Sequence, residues 1–226
     1  RHPVRLVHLH GAQRMIVDVD TPVGPGRLTL SLTADAPRAV LLVSHGAGGG
    51  IDTVDLVALA EALPAQGIAV VRYEQPWRVA GKKVASPPAT LDAGWRPGLD
   101  AVAARFPGVP LVVGGRSAGA RVACRCFAEP AVGVLALSFP LHPPGRPEKS
   151  RVEELASVAG PVLLISGDRD PFASPEELRT AIAAGQAGER QLVIVPGSAH
   201  SFRASGAAQL AAAASEFVLG LLPPER

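Results

Sequence analysis

The stretch Leu111-Val112-Val113-Gly114-Gly115-Arg116-Ser117-Ala118-Gly119-Ala120-Arg121 decides how this chain is read. An apolar, β-branched run feeds into Gly115-Arg116-Ser117-Ala118-Gly119, and an alanine-rich helical signal begins at once. This is a Gly-x-Ser-x-Gly turn in the setting that gives it meaning, strand before and helix after. Such a turn holds its serine in a strained backbone conformation. It needs glycine two residues to either side, where a Cβ would collide with the neighbouring strand and helix. It also lifts the serine Oγ above the sheet edge and aims the unpaired N–H groups of the helix N-terminus at the same point. In a chain with 24 glycines the short pattern alone is a weak signal, so its partners must carry the weight.

Working outward, residues 39–44 form a continuous apolar run, as expected of a strand buried on both faces. The run ends in His45-Gly46-Ala47-Gly48-Gly49-Gly50. Residues 52–66 read as a helix, with Thr53 or Asp52 as N-cap and Gly67 just past its end. Residues 68–73 are the next buried strand, followed by a long polar segment over 74–88. Residues 97–105 read as a helix, because a proline such as Pro97 is tolerated in the first turn and not deeper. After the elbow come a helix over 118–128, a strand over 134–138 and a proline-rich basic segment over 139–151, too short for a cap domain. A strand over 161–166 runs into Gly167-Asp168-Arg169-Asp170-Pro171-Phe172, and Ser174 caps a helix starting at Pro175. The last strand, 191–195, leads to Pro196-Gly197-Ser198-Ala199-His200, and an alanine-rich helix spans 205–222. Upstream, residues 16–20 and 27–33 alternate apolar and polar around a Thr-Pro-Val-Gly-Pro-Gly turn and read as an antiparallel hairpin.

Strands alternating with helices after a hairpin imply an α/β fold with a mostly parallel, doubly wound sheet. Ligands of such sheets bind beyond the carboxyl ends of the strands. The His45 loop, Ser117, Asp170 and His200 each follow a strand directly, so distant parts of the chain converge on one edge.

A serine hydroxyl is a poor nucleophile at neutral pH and needs a base and a group to orient that base. In a strand–turn–helix elbow of this kind the partners follow in the order serine, acid, histidine. His200 is the histidine that follows both the elbow and the acid-bearing loop. For the acid, Asp170 is favoured over Asp168, since the loop must travel before it turns back over His200. The N–H of Ala118 is the first oxyanion donor. The His45-Gly46-Ala47-Gly48 loop supplies the second, Ala47 before Gly48. That loop lacks the Gly-Lys-Ser/Thr ending of a phosphate-binding loop, and His45 reads as an orienting residue rather than a second base. Arg78, Lys82, His142 and Arg146, with Lys83, Lys149 and Arg151 nearby in sequence, lie in two loops at the same edge and are candidate substrate-binding residues. Their basic side chains could favour an anionic substrate, against a plainer reading as solvated charge paired with Glu74 or Glu148.

Composition sets the outer bounds. The 226 residues, 47% hydrophobic, suffice for one substantial core. Twenty-two basic and 20 acidic residues are too balanced to argue for nucleic acid. No apolar run approaches the roughly 20 residues of a membrane span, and the N-terminus lacks the apolar core of a secretory signal, so a cytoplasmic protein is expected. Cys124 and Cys126, two apart on a helix, point in different directions and should not bridge. Residues 1–14 hold His2, His8 and His10, with no acid or cysteine beside them to suggest a metal site. A single domain over 15–222 is expected, with 1–14 as a loosely attached extension and 223–226 as a tail.

The hairpin start, His45-Gly46-Ala47-Gly48, Gly115-Arg116-Ser117-Ala118-Gly119, Gly167-Asp168-Arg169-Asp170-Pro171-Phe172 and Ala199-His200 together resemble the α/β-hydrolase superfamily. More narrowly, the chain resembles small actinobacterial hydrolases near dienelactone hydrolase, and the hydrolase-like domain of a non-specific-lethal chromatin-complex subunit. The segments 75–81 and 139–150 carry that narrower likeness. The resemblance covers nearly the whole chain after Met15. It implies an α/β-hydrolase fold without a large cap, a Ser117–Asp170–His200 triad, Ala47 and Ala118 as oxyanion donors, a small acyl substrate, and neither metal nor organic cofactor. Dienelactone hydrolases usually carry cysteine where Ser117 stands, so their substrate does not transfer. The chromatin-complex relative acts as a scaffold, which leaves a non-catalytic interaction module as the alternative.

Overall fold

The computed structural model describes residues 4–9, 12–184 and 188–223, with side chains described from Met15 onward. Nine strands form one sheet: β1 (Val4–Leu9), β2 (Ala12–Val19), β3 (Gly26–Ser31), β4 (Ala39–Ser44), β5 (Ile68–Glu74), β6 (Leu111–Arg116), β7 (Ala131–Leu137), β8 (Val162–Gly167) and β9 (Arg190–Val195). Their spatial order is β1-β2-β3-β5-β4-β6-β7-β8-β9. β1, β2, β3 and β5 pair antiparallel in that order, and the pairs from β5 through β4 to β9 are all parallel. The helices are α1 (Val54–Ala62), α2 (Pro76–Val79), α3 (Pro88–Arg105), α4 (Ala118–Arg125), α5 (Val152–Ala156), α6 (Pro175–Ala183) and α7 (Ala207–Gly220).

The apolar runs become central strands because each must bury two faces. Along β4, Ala39, Leu41 and Val43 enter one core while Val40 and Leu42 enter the other, and all are fully buried. β5 divides the same way, Ile68 and Val70 against Ala69, Val71 and Tyr73. α1 and α7 cover the first face, and α3 to α6 cover the second. Each buried aliphatic side chain contributes about 1.5–3 kcal/mol, so the alternation pins the register of the sheet. The hydrolase-type architecture is the one expected. Between β7 and β8, where a cap could be inserted, the only helix is the five-residue α5.

Three boundaries differ from expectation. β1 pairs with β2 from Val4↔Val17 to Leu9↔Ala12, so the antiparallel part of the sheet has three strands and reaches upstream of Met15. The metal reading of His2, His8 and His10 falls outside the described side chains, and 224–226 of the tail lie outside the described residues. α3 begins at Pro88, nine residues before the expected start, and carries Pro97 in its interior. An interior proline costs about 3 kcal/mol, but Leu91, Trp95, Leu99 and Val102 bury one face of this helix, and burial of four such side chains outweighs that cost. α1 is shorter than read: a 3₁₀ turn at Pro64–Gln66 ends at Gly67, whose φ of 81° suits glycine. Ser174 does cap α6, forming a reciprocal capping box with Glu177.

Cys124 and Cys126 are buried free thiols. Burial pushes them up to about 12 and about 11, so both stay protonated as small apolar groups. Among the described residues, no helix is long and apolar enough to cross a membrane.

Candidate active site

β4, β6, β8 and β9 run parallel, so their carboxyl ends share one edge. The elbow sits at the end of β6. Ser117 has φ 53° and ψ −110°, a conformation disfavoured for a residue with a Cβ. Its N–H donates to Leu137 O at 2.9 Å and its carbonyl accepts from Arg121 N–H at 3.1 Å, which ties the strained residue to β7 and α4. A Cβ on Gly115 would lie 2.6 Å from Ser44 O, and one on Gly119 would collide with the same carbonyl. The two flanking glycines therefore let the elbow nest against the end of β4. Gly46 has a related task, since a Cβ there would sit 3.2 Å from that of Ser117.

Two further loops close on the serine. The loop after β8 is stitched to the loop after β9 by Arg169 N–H to Ser198 O at 3.0 Å, and a Cβ on Gly167 would strike Ser198 O. That contact sets Asp170 beside His200. His200 Nδ1 lies 2.9 Å from Asp170 Oδ2 and 3.1 Å from Oδ1, while its Nε2 lies 2.9 Å from Ser117 Oγ. A carboxylate only accepts, so Nδ1 carries the proton and Nε2 is left as acceptor toward the serine hydroxyl. Asp170 is buried and also accepts from Phe172 N–H at 2.9 Å. The Phe172 ring stacks on His200 with centroids 4.1 Å apart. Asp168 is exposed and takes no part.

Ser117 and His200 open into a cavity of about 420 Å³, also lined by Ala47, Gly48, Ala118 and Phe172. Ala118 is the first residue of α4, so its N–H has no acceptor within the helix. His45 is buried with Nδ1 2.9 Å from Gly46 O, and its Nε2 accepts from Gln75 N–H at 3.1 Å. Burial pushes its pKa down. With both ring nitrogens engaged and its edge against Trp77, His45 fixes the loop that carries Ala47.

Arg78, Lys82, His142 and Arg146 are not brought together at Ser117. Lys82 faces a separate groove with Val23, Pro25 and Thr90, and Arg78 packs beside Gly50. His142 pairs with Glu177 at 3.1 Å and borders another cavity, of about 510 Å³, away from Ser117. Arg146 pairs on the surface with Glu148. Of the basic residues expected at this edge, Arg151 does line the serine cavity, together with Arg116 and Arg121. Loop direction decides this, and sequence position alone does not carry it.

Arg116, the second residue of the elbow, is the residue that sequence reasoning passed over. Its Nε lies 3.1 Å from Oδ2 of the fully buried Asp55 on α1, an ion pair without hydrogen-bond geometry. Its Nη2 donates to His200 O at 2.9 Å and to Ser201 Oγ at 2.6 Å. One guanidinium thus braces the histidine loop against α1. The available signal was a charge in the middle of an otherwise apolar and glycine strand end. Arg116→Met should destabilise the fold by about 3–5 kcal/mol in urea unfolding, because it leaves Asp55 buried and uncompensated. Arg116→Met/Asp55→Leu should recover most of that loss. Equal instability of the single and double variants would remove the pair from the account.

Residues 37–215 match the Alpha/beta hydrolase domain family, and the chain belongs to that family. It is similar in structure to XC6422 from Xanthomonas campestris, an α/β serine hydrolase without lid, with TM-score 0.75 and 23% identity over 97% of this chain and 100% of that one. The dienelactone hydrolase of Anabaena variabilis ATCC 29413 gives TM-score 0.76 at 20% identity, over 95% and 100%. Est1E from Butyrivibrio proteoclasticus gives 0.75 at 16%, over 91% and 98%. At these identities the likeness is one of fold. Among curated proteins, the chain is 28% identical over 198 residues to a Mycobacterium tuberculosis protein provisionally named a phosphoribosyl transferase, Rv0571c. That match covers 84% of this chain and 42% of the relative, so the chain spans less than half the length of the curated relatives it matches.

Proposed function

We propose that the chain is a serine hydrolase that cleaves a carboxylic ester or related acyl compound through an acyl-enzyme. Ser117 Oγ bonds to the substrate carbonyl carbon as its proton passes to His200 Nε2. The carbonyl oxygen takes negative charge and is held by the N–H groups of Ala47 and Ala118. His200 then gives its proton to the leaving alkoxide, the ester C–O bond breaks, and the acyl group stays on Ser117. A water attacks in turn, its proton going to His200 and then back to Ser117 as the acid departs. Asp170 keeps His200 in the tautomer that can do this and stabilises the imidazolium.

The observation that carries the reading is a single imidazole with Nε2 2.9 Å from Ser117 Oγ and Nδ1 2.9 Å from Asp170 Oδ2. The serine hydrolases and esterases among the structural neighbours support the same reaction class. The dienelactone-hydrolase-like branch and a cytoplasmic location belong to the same proposal, the former supported by the fold of the Anabaena enzyme. The test is turnover of 4-nitrophenyl butyrate: hydrolysis above buffer by the purified chain, lost in Ser117→Ala, supports the proposal. Equal rates for the two proteins refute it.

A further inference from the structure

Among the described residues, the cavity around Ser117 is lined by Arg116, Arg121 and Arg151 and by no aspartate or glutamate. The three arginines differ in what holds them. Arg116 is matched by Asp55. Arg121 is gripped by both oxygens of Glu154, at 2.7 and 2.6 Å. Glu154 is further shared with Arg125 at 3.3 Å, and Arg125 also binds Asp92 at 2.6 Å. Arg151 has no carboxylate partner among the described residues. Of the three arginines that line the cavity, Arg116 and Arg121 are each ion-paired with a carboxylate and Arg151 is not. Its guanidinium shares the cavity with the candidate nucleophile.

Arg151 is also held in place. Its backbone N–H donates to Leu141 O at 2.7 Å, and its Nη1 donates to Pro140 O at 3.1 Å. It is half-buried at the N-terminal end of α5, whose Glu154 anchors Arg121. A guanidinium has five donors, and the Pro140 contact uses one of them. Among the described residues its side chain makes no other hydrogen bond, which leaves donors for a ligand in the cavity.

We infer that Arg151 is a specificity-determining residue that binds a singly charged anionic group, a carboxylate in the common case, on the substrate whose acyl carbon Ser117 attacks. The inference rests on the hydrolase reading above. A fixed arginine without an ion-paired carboxylate suits a monoanion, since guanidinium and carboxylate match in planar, charge-assisted pairs. Burial and the neighbouring Arg121 push the Arg151 guanidinium below its ordinary value. Glu154 offsets this only in part, and an anion entering the cavity would offset it further.

The probes are 4-nitrophenyl hydrogen adipate and the neutral 4-nitrophenyl hexanoate, compared as a ratio of kcat/KM. The native chain should favour the adipate ester. Arg151→Gln should lower the ratio about tenfold, equivalent to about 1.4 kcal/mol. Arg151→Lys should keep part of it, and Arg146→Gln, on the exposed surface, should keep all of it. A general loosening of the wall would slow both esters together and leave the ratio unmoved. No preference in the native chain, or an unchanged ratio in Arg151→Gln, overturns the inference while hexanoate turnover through Ser117 leaves the hydrolase reading standing. Turnover of neither ester by the native chain overturns the hydrolase reading, and this inference with it.

Discussion

Replacing Ser117 by alanine is expected to lower kcat/KM for 4-nitrophenyl butyrate by about 10⁴-fold or more, and His200→Ala by a similar factor. The double variant should lose no more than either single one, because a nucleophile and its base act as one unit. The reason lies in the 2.9 Å contact between His200 Nε2 and Ser117 Oγ. Without the imidazole the hydroxyl keeps its proton, and without the hydroxyl the imidazole has nothing to activate. What survives in each variant is the oxyanion site and the cavity. Multiplying losses in the double variant would mean that the two residues act separately, and would dismantle the assignment.

The second large effect separates two aspartates that lie two residues apart. Asp170→Asn is expected to cost about 10³–10⁴-fold in kcat, equivalent to about 4–5.5 kcal/mol, with Asp168→Asn within about twofold. Asp170 accepts from His200 Nδ1, and its Oδ1 also takes the Phe172 N–H at 2.9 Å. An asparagine amide presenting its NH₂ to His200 would favour the opposite tautomer and put a proton on the nitrogen that must accept one from Ser117. Asp168 stands exposed on the same loop. Steady-state kinetics of the two variants decides between them, and the reverse ranking would move the orienting role to Asp168.

Much of the architecture was legible because the central strands must bury both faces. A continuous apolar run such as 39–44 admits few other readings in a chain that alternates strands and helices. The elbow was legible because its glycines answer a local need, the close approach of Ser44 O to Gly115 and Gly119. Asp170 and His200 could be named because each follows a parallel strand, and parallel strands deliver their ends to one edge. What depended on tertiary contact was not legible. Asp55 and Arg116 are 61 residues apart, and nothing in either neighbourhood names the other. The start of α3 was obscured by Pro97, whose local penalty is outweighed only by a buried face that the assembled sheet creates. The basic residues of 139–151 looked equivalent in sequence. Arg151 turns into the cavity and Arg146 onto the surface because the segment is fixed by backbone contacts such as Arg151 N–H to Leu141 O.

The central claim is that Ser117 is an activated nucleophile. It is tested most directly by treating the folded chain with a fluorophosphonate and mapping the adduct by peptide mass spectrometry. One phosphonyl group per chain is expected, on Ser117, formed with loss of fluoride, and neither Ser117→Ala nor His200→Ala should be modified at an appreciable rate. A chain that stays unlabelled while folded, or that carries the adduct on another serine, would contradict the claim and return the molecule to the alternative of an interaction module on a hydrolase fold.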